Sequence, residues 1–224
     1  MIHLTKTAEP DILKANSARW TAELLAAQQS GGRATEVQKN RYRHSEIKDA
    51  LIRETHGKCA YCESKVRHVA PGDIEHITAK SISPNLAFKW ENLTLACPVC
   101  NNNKSDYAGD HGAIVDPYLV EPSLHLIFDG SYVWPVPGSA SGQATELVLK
   151  LNRAELVERR QKRLKALHDQ LTVLANAKDS GVREILRRDL LEHETSNSQE
   201  YAALSRKWIA LVLAIVESTA AVHA

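Results

Sequence analysis

Two CxxC pairs, Cys59-Ala60-Tyr61-Cys62 and Cys97-Pro98-Val99-Cys100, enclose the carboxylate–histidine pair Glu75-His76. The chain has 4 cysteines in all, so none is left over. A structural zinc ion takes four ligands at tetrahedral corners, and each CxxC turn presents two thiolates on one side of a tight knuckle. A redox role explains either pair taken alone but not both together. The 34 residues between the pairs exceed the ~15–20 of a simple zinc ribbon. Zinc on Cys59, Cys62, Cys97 and Cys100 therefore reads as a staple that closes a loop with content of its own.

That content holds the reactive groups. Glu75 offers a hard oxygen ligand suited to Mg²⁺ or Mn²⁺, and His76 titrates in the range of a general base near neutral pH. On the dipeptide alone, a surface glutamate and a histidine satisfied by a backbone carbonyl is the better reading. The context changes this. Asn101 and Lys104 are three apart and share a face if a helix begins at the second knuckle. The Asn101 amide oxygen could then complete a metal site, and Lys104 could meet a phosphate. Asn92, in Trp90-Glu91-Asn92-Leu93, can tie down a loop through hydrogen bonds. Leu93 and Leu95 read as core.

These residues resemble the HNH endonuclease family, whose ββα-metal core is often stapled by a zinc knuckle. The matching segments are Cys59–Cys62, Ile74-Glu75-His76-Ile77, Asn92-Leu93 and Cys97-Pro98-Val99-Cys100-Asn101-Asn102-Asn103-Lys104. The resemblance implies that His76 activates water, that Glu75 and Asn101 hold a catalytic Mg²⁺ or Mn²⁺, that Asn92 orients the loop carrying His76, and that the cysteines bind structural zinc. The family's last position is often His; here it is Asn101. A longer set is similar to a narrower group, the HNH nucleases of Septu-type and retron-associated anti-phage systems. It comprises Asp73–Ser81, Trp90–Leu93, Ile114-Val115-Asp116-Pro117, Leu149-Lys150-Leu151-Asn152-Arg153 and Leu156–Arg160. That group implies an ABC-type ATPase partner. The expected substrate is nucleic acid, DNA first, with Lys80 and Lys104 on its backbone. Ala79 stands where the group often has proline.

The elements that must position these groups are mostly helical. Apolar spacing predicts a helix over 11–29 (Ile12, Leu13, Trp20, Leu24, Leu25), ended by Gly31-Gly32, and a second over 35–55 with Val37, Ile47, Leu51 and Ile52 inward and Gly57 at its end. Asp73–Ile77 alternates as a strand does, except at the Glu–His pair. At a strand end the alternation relaxes, and both side chains can reach one phosphate. Residues 112–150, rich in Pro, Gly and Ser, suggest a hairpin turning at Asp129-Gly130. Helix resumes from about Asn152, with breaks near Ser180-Gly181 and at Thr195–Ser198. The expected fold class is α+β, a mainly helical chain carrying a ββα-metal core stapled by a four-cysteine zinc site. The expected divisions are an N-terminal helical arm (1–56), the nuclease core (57–110), a small β-type segment (111–150) and a C-terminal helical region (151–224).

A net charge of +1 is too balanced to argue for nucleic-acid binding by itself. The distribution is less even, with 11 Lys/Arg against 6 Asp/Glu from Lys150 to Leu190, and 7 against 4 from Arg33 to Lys58. These are candidate phosphate-facing stretches or solvated helix faces. The opening Met1-Ile2-His3-Leu4-Thr5-Lys6 has no signal-peptide pattern, and the most apolar run, Trp208–Val216, falls short of the roughly 20 residues a bilayer span needs. A reducing cytoplasm is expected, where paired cysteines read as metal ligands. The apolar positions Trp208, Ile209, Leu211, Val212, Ile215 and Val216 suit either core or a surface for a partner or a second copy. Two rival functions stand beside the anti-phage nuclease: a non-catalytic zinc module that binds nucleic acid or protein, and a conventional restriction-type HNH enzyme. A zinc hydrolase acting on another substrate ranks below both, since four cysteines close the coordination sphere and a catalytic zinc needs an open position.

Overall fold

The computed structural model describes residues 1–29, 34–66 and 71–222, with side chains only to residue 216 in the last helix. Helix α1 (Asp11–Gln29) buries Leu13, Trp20 and Leu24, as its spacing predicts. The expected Gly31-Gly32 break and Arg33 lie outside the described residues. The stretch 35–55 is not one helix. It divides into α2 (Glu36–Asn40), a 3₁₀ turn (Arg41–Arg43) and α3 (Ser45–Glu54). Local capping explains the division. Thr35 and Gln38 form a capping box at α2, and His44 leaves helical geometry (ψ 140°) so that its ring accepts from the Glu46 N–H at the start of α3. Each new helix start then has one of its orphan N–H groups satisfied by a side chain. Val37, expected inward, is 75% exposed as a result, while Ile47 and Leu51 are fully buried.

After the first knuckle come β1 (Asp73–His76) and β2 (Leu93–Ala96), antiparallel with Asp73 opposite Ala96 and His76 opposite Leu93. Helix α4 (Pro98–Lys104) follows at once, with Cys97 as its N-cap and Pro98 at its first turn. Proline suits that position because its missing N–H is not needed there. Both β2 leucines are fully buried, and β2 packs on α3. On β2 the N-terminal segment is pinned by a buried carboxylate. Glu54 accepts from Tyr118 Oη (2.7 Å) and from the Thr7 backbone N–H (2.8 Å), and pairs with Lys6 Nζ (3.1 Å). Lys6 also donates to the Leu93 carbonyl, and the Trp90 indole N–H donates to the Thr7 carbonyl (2.8 Å).

The segment 112–150 contains the expected hairpin, β3 (Leu126–Asp129) with β4 (Tyr132–Pro135). Asp129 pairs with Tyr132, so the loop residues are Gly130-Ser131 rather than Asp129-Gly130. Gly130 takes φ +53°, which glycine tolerates. The segment also holds a helix absent from the sequence reading, α5 (Ala140–Leu149), capped by the Ser139 hydroxyl on the Gly142 N–H. Gly142 does not break this helix. It lets the helix approach the hairpin, because an added Cβ would lie 2.1 Å from the His125 carbonyl oxygen.

Helices α6 (Ala154–Asn176), α7 (Ser180–Asp189) and α8 (Ala202–Val222) complete the chain, with a π-helical turn at Leu190–Glu194. The break before α7 falls at Asp179, whose carboxylate caps the Val182 N–H. One apolar cluster runs from Met1 through Leu51, Leu93, Leu95 and Leu156 to Leu204, so the expected divisions share a core. A second cluster joins Leu167, Leu171, Leu174 and Leu190 to Ile209 and Leu213, with Trp208 and Val212 packed against it. Of the six apolar positions named in α8, Trp208, Ile209 and Val212 therefore serve as core, while Leu211 is 52% exposed. Among the described residues no helix is long and apolar enough to cross a membrane.

Candidate active site and metal centre

The four cysteine sulfurs meet at one point, all within 4.8 Å of one another. Cys62 Sγ and Cys97 Sγ are 3.8 Å apart, and the tetrahedral edge set by a Zn–S bond of about 2.3 Å is about 3.8 Å. The donor set and spacing fit a zinc ion. Two bonds from backbone N–H groups shape the knuckles: Ala60 N–H to the Leu95 carbonyl (2.9 Å) ties the first to β2, and Cys100 N–H to the Cys97 Sγ side chain (3.4 Å) folds the second. The Arg153 guanidinium lies 3.7 Å from Cys100 Sγ and 3.8 Å from Cys97 Sγ. Zinc on four thiolates carries a net charge of about −2, which a cation at this distance offsets.

The staple holds α4 against β1, and the reactive groups sit where those elements meet. Glu75 and His76 both line one cleft of about 680 Å³, together with Asp73, Asn101, Asp106, Lys80, Tyr42, Arg43 and Lys48. His76 is the last residue of β1, so the opposite-face rule for strand neighbours is relaxed there. Its Nε2 is 3.0 Å from the Ala87 carbonyl. A carbonyl can only accept, so Nε2 carries the proton and Nδ1 is left as the base. Burial lowers the imidazole pKa to about 4, the Lys80 and Lys104 charges adding to the effect against the Ala87 bond. The ring is therefore neutral at physiological pH. The carbonyl-bonded histidine that seemed the ordinary alternative is present, and it is the bond that orients the base.

Asn92 is 6% exposed. Its Oδ1 accepts from the Thr78 N–H (2.7 Å), and its Nδ2 donates to the carbonyls of Thr78 (3.0 Å) and Leu86 (3.1 Å). It closes the loop that runs from His76 to the Ala87 carbonyl holding His76. Asn101 Nδ2 donates to Asp73 Oδ2 (2.9 Å), which fixes the amide and leaves its oxygen available to a cation. Asp73, Glu75 and Asn101 thus supply hard oxygen donors to one cleft, as a magnesium-type ion requires.

A family model for HNH endonucleases matches residues 59–107, the stretch from the first knuckle to just past α4. Residues 59–107 are an HNH endonuclease domain. Over a longer span the chain is similar to the Septu protein PtuB of Bacillus thuringiensis, 31% identical over 127 residues, which is 56% of this chain and 46% of that protein. It is also similar to the Septu protein PtuB of Bacillus mycoides (strain KBAB4), 28% identical over 196 residues, 72% of this chain and 66% of that protein. The chain spans less than two thirds of the length of either relative.

Within the HNH domain, Asn101 and Lys104 do share a face of α4, but that face meets β1. Lys104 is 2% exposed; its ammonium pairs with Glu75 Oε1 (2.8 Å) and donates to the His76 carbonyl (2.8 Å). The expectation that Lys104 faces a phosphate is corrected by this geometry. A buried carboxylate needs a counter-charge, and Lys104 is the one that reaches it. Burial still pushes the Glu75 carboxyl up from its ordinary value, against the pull of Lys104. Lys80 is half-buried on the cleft wall, donating to Tyr42 Oη (3.0 Å).

The sequence gives no individual site role to Asp73, Tyr42, Arg43, Lys48 or Arg153, although Arg43, Lys48 and Arg153 fall in its two basic stretches. Asp73 was within reach of the period-two rule, since it shares a strand face with Glu75. Arg153 lay in the Leu-Asn-Arg run without any sign that it reaches the knuckle. Arg43 and Lys48 belong to the basic stretch Arg33–Lys58 but were not singled out within it, and Tyr42 carried no signal, because only the packing of the N-terminal arm brings all three to the cleft.

Proposed function

We propose that this chain is a metal-dependent endonuclease that hydrolyses phosphodiester bonds, DNA first among substrates, as the effector of an anti-phage system with an ABC-type ATPase partner. The observation that carries the reading is the joint placement of a tautomer-fixed His76, Glu75 and Asn101 in one cleft of an HNH domain. The likeness to two Septu proteins supports the defence setting.

In this mechanism His76 Nδ1 takes a proton from water as the water oxygen attacks phosphorus, and the bond from phosphorus to the leaving oxygen breaks. The Ala87 carbonyl holds the ring in line and stabilises the imidazolium that forms. Glu75, Asn101 and Asp73 would hold a Mg²⁺ or Mn²⁺ ion, which stabilises negative charge on the leaving oxygen when bound. Lys104 supplies the counter-charge to Glu75 and holds its carboxyl in place. Lys80 meets the backbone phosphate. Phosphate contacts carry little base information, so weak sequence preference follows, with control left to the partner.

The test is cleavage of DNA and RNA substrates with Mg²⁺ or Mn²⁺, with and without an ABC-type ATPase supplied as the candidate partner. His76→Ala should keep zinc content and fold and lose cleavage. A variant that cuts as fast as wild type, or a wild type that cuts nothing under all these conditions, refutes the reading.

A further inference from the structure

The 3₁₀ turn Arg41–Arg43 carries the N-terminal arm into the cleft of the HNH domain. Tyr42 is 5% exposed. Its ring meets the His76 imidazole edge-on, centroids 4.5 Å apart and planes at 78°. Its hydroxyl accepts from Lys80 Nζ at 3.0 Å, and the same ammonium stands 4.5 Å from the ring centroid. One buried side chain therefore touches both the base and a cleft lysine. Arg43, the next residue, is exposed on the cleft wall with its guanidinium carbon 5.8 Å from the Tyr42 ring. Lys48, in α3, lines the same wall and donates to the Gly72 carbonyl just before β1. Three cations thus border a cleft that also holds Asp73, Glu75 and Asp106. An all-acidic cleft would repel a phosphodiester; this one offers cation-binding oxygens beside phosphate-binding nitrogens.

We propose that Arg43 and Lys80 seat backbone phosphates of the substrate strand, and that Tyr42 is the positioning residue that holds Lys80 at a set distance from His76. A free lysine loses rotamer freedom when it grips a phosphate. Tyr42 removes much of that cost by fixing the ammonium through its hydroxyl and ring face. The same ring packs the imidazole so that it cannot swing from the Ala87 carbonyl. The arm is then part of the substrate site, and the nucleic acid lies across the junction of the arm and the HNH domain. This rests on the nuclease reading.

The experiment measures binding and cleavage separately. Binding of fluorescein-labelled duplex and single-stranded oligonucleotides is followed by anisotropy in EDTA across a salt series. Arg43→Ala and Lys80→Ala should each reduce the slope of log K against log salt by about 0.9 on duplex or about 0.7 on single strands, one phosphate contact apiece. Tyr42→Phe keeps the ring on His76 and removes the hydroxyl. It should weaken binding several-fold, with the loss falling on KM rather than kcat, and the Tyr42→Phe/Lys80→Ala double variant should bind like Lys80→Ala alone. Tyr42→Leu, which also removes the ring, should add a fall in kcat. Unchanged salt slopes for Arg43→Ala, or fully additive effects of Tyr42→Phe and Lys80→Ala, overturn the proposal. If wild type binds with these slopes but cuts nothing, the nuclease reading fails and the phosphate seat stands. If wild type cuts and the variants keep its slopes, the seat fails alone, and a wild type that binds no nucleic acid sinks both.

Discussion

Asn92 is where a small change should have a large and specific effect. Its amide makes three hydrogen bonds to the backbone of one loop, to the Thr78 N–H, the Thr78 carbonyl and the Leu86 carbonyl. Each such bond contributes a net ~1 kcal/mol, more where the partner is left buried and unpaired. Thr78 and Leu86 are both half-buried, so water recovers part of the loss in Asn92→Ala. A total near ~2 kcal/mol follows, or a Tm lower by about 4–8 °C for a chain of this size. Asn92→Asp is the sharper perturbation. It conserves shape and still accepts from Thr78 N–H, but turns two donors into a carboxylate oxygen facing two carbonyls. It should therefore destabilise more than Asn92→Ala, although aspartate preserves one bond and alanine none. Function should fall with it, because Leu86 precedes the Ala87 carbonyl that orients His76. The assays are thermal unfolding, zinc content and single-turnover cleavage on the same preparations. Zinc should stay bound while Tm and cleavage drop in the order wild type, Ala, Asp. An Asn92→Asp variant as stable as Asn92→Ala, or one that cleaves like wild type, would refute the loop-anchor argument.

The same geometry sets further outcomes at His76, Lys104, Cys97 and Arg153. With the His76 pKa near 4, the acid limb of cleavage should lie near pH 4 rather than at the ordinary histidine value of about 6.5. Because the unfolded chain binds that proton first, stability should be complete above about pH 6.5 and fall by about 3 kcal/mol as the pH drops towards 4, and His76→Gln should flatten that dependence in denaturant titrations. Lys104→Met leaves the Glu75 carboxylate buried without its counter-charge and should cost about 3 kcal/mol by chemical denaturation, with most of the loss recovered by adding Glu75→Gln. Cys97→Ser should lower bound zinc by elemental analysis, whereas Arg153→Ala should keep zinc but surrender it to a chelator roughly 10–100-fold more readily; equal resistance to the chelator would remove the charge-balancing role of Arg153.

The amino-acid sequence alone determined the local chemistry. Two CxxC turns, a strand ending in Glu-His and a helix opening at Cys97-Pro98 are short-range features, and their residue types and spacing are visible without any partner. The same holds for α1 and for the break before α7, where one face or one cap decides the outcome. Helix α5 was hidden because Gly142 reads as a breaker until the hairpin that it packs against is in place. The split of α2 from α3 was hidden because His44 serves as a cap only through its own ring. At the site, the tertiary structure decided which side each cation faces. Lys104 sits on the expected face of α4, yet that face closes on β1, and a buried carboxylate draws the ammonium inward. Arg43 and Lys48, far away in sequence, reach the cleft because α3 packs on β2 and carries the Arg41–Arg43 turn with it. Residue type and spacing specify which groups can react; long-range packing specifies which of them meet water, a phosphate or each other.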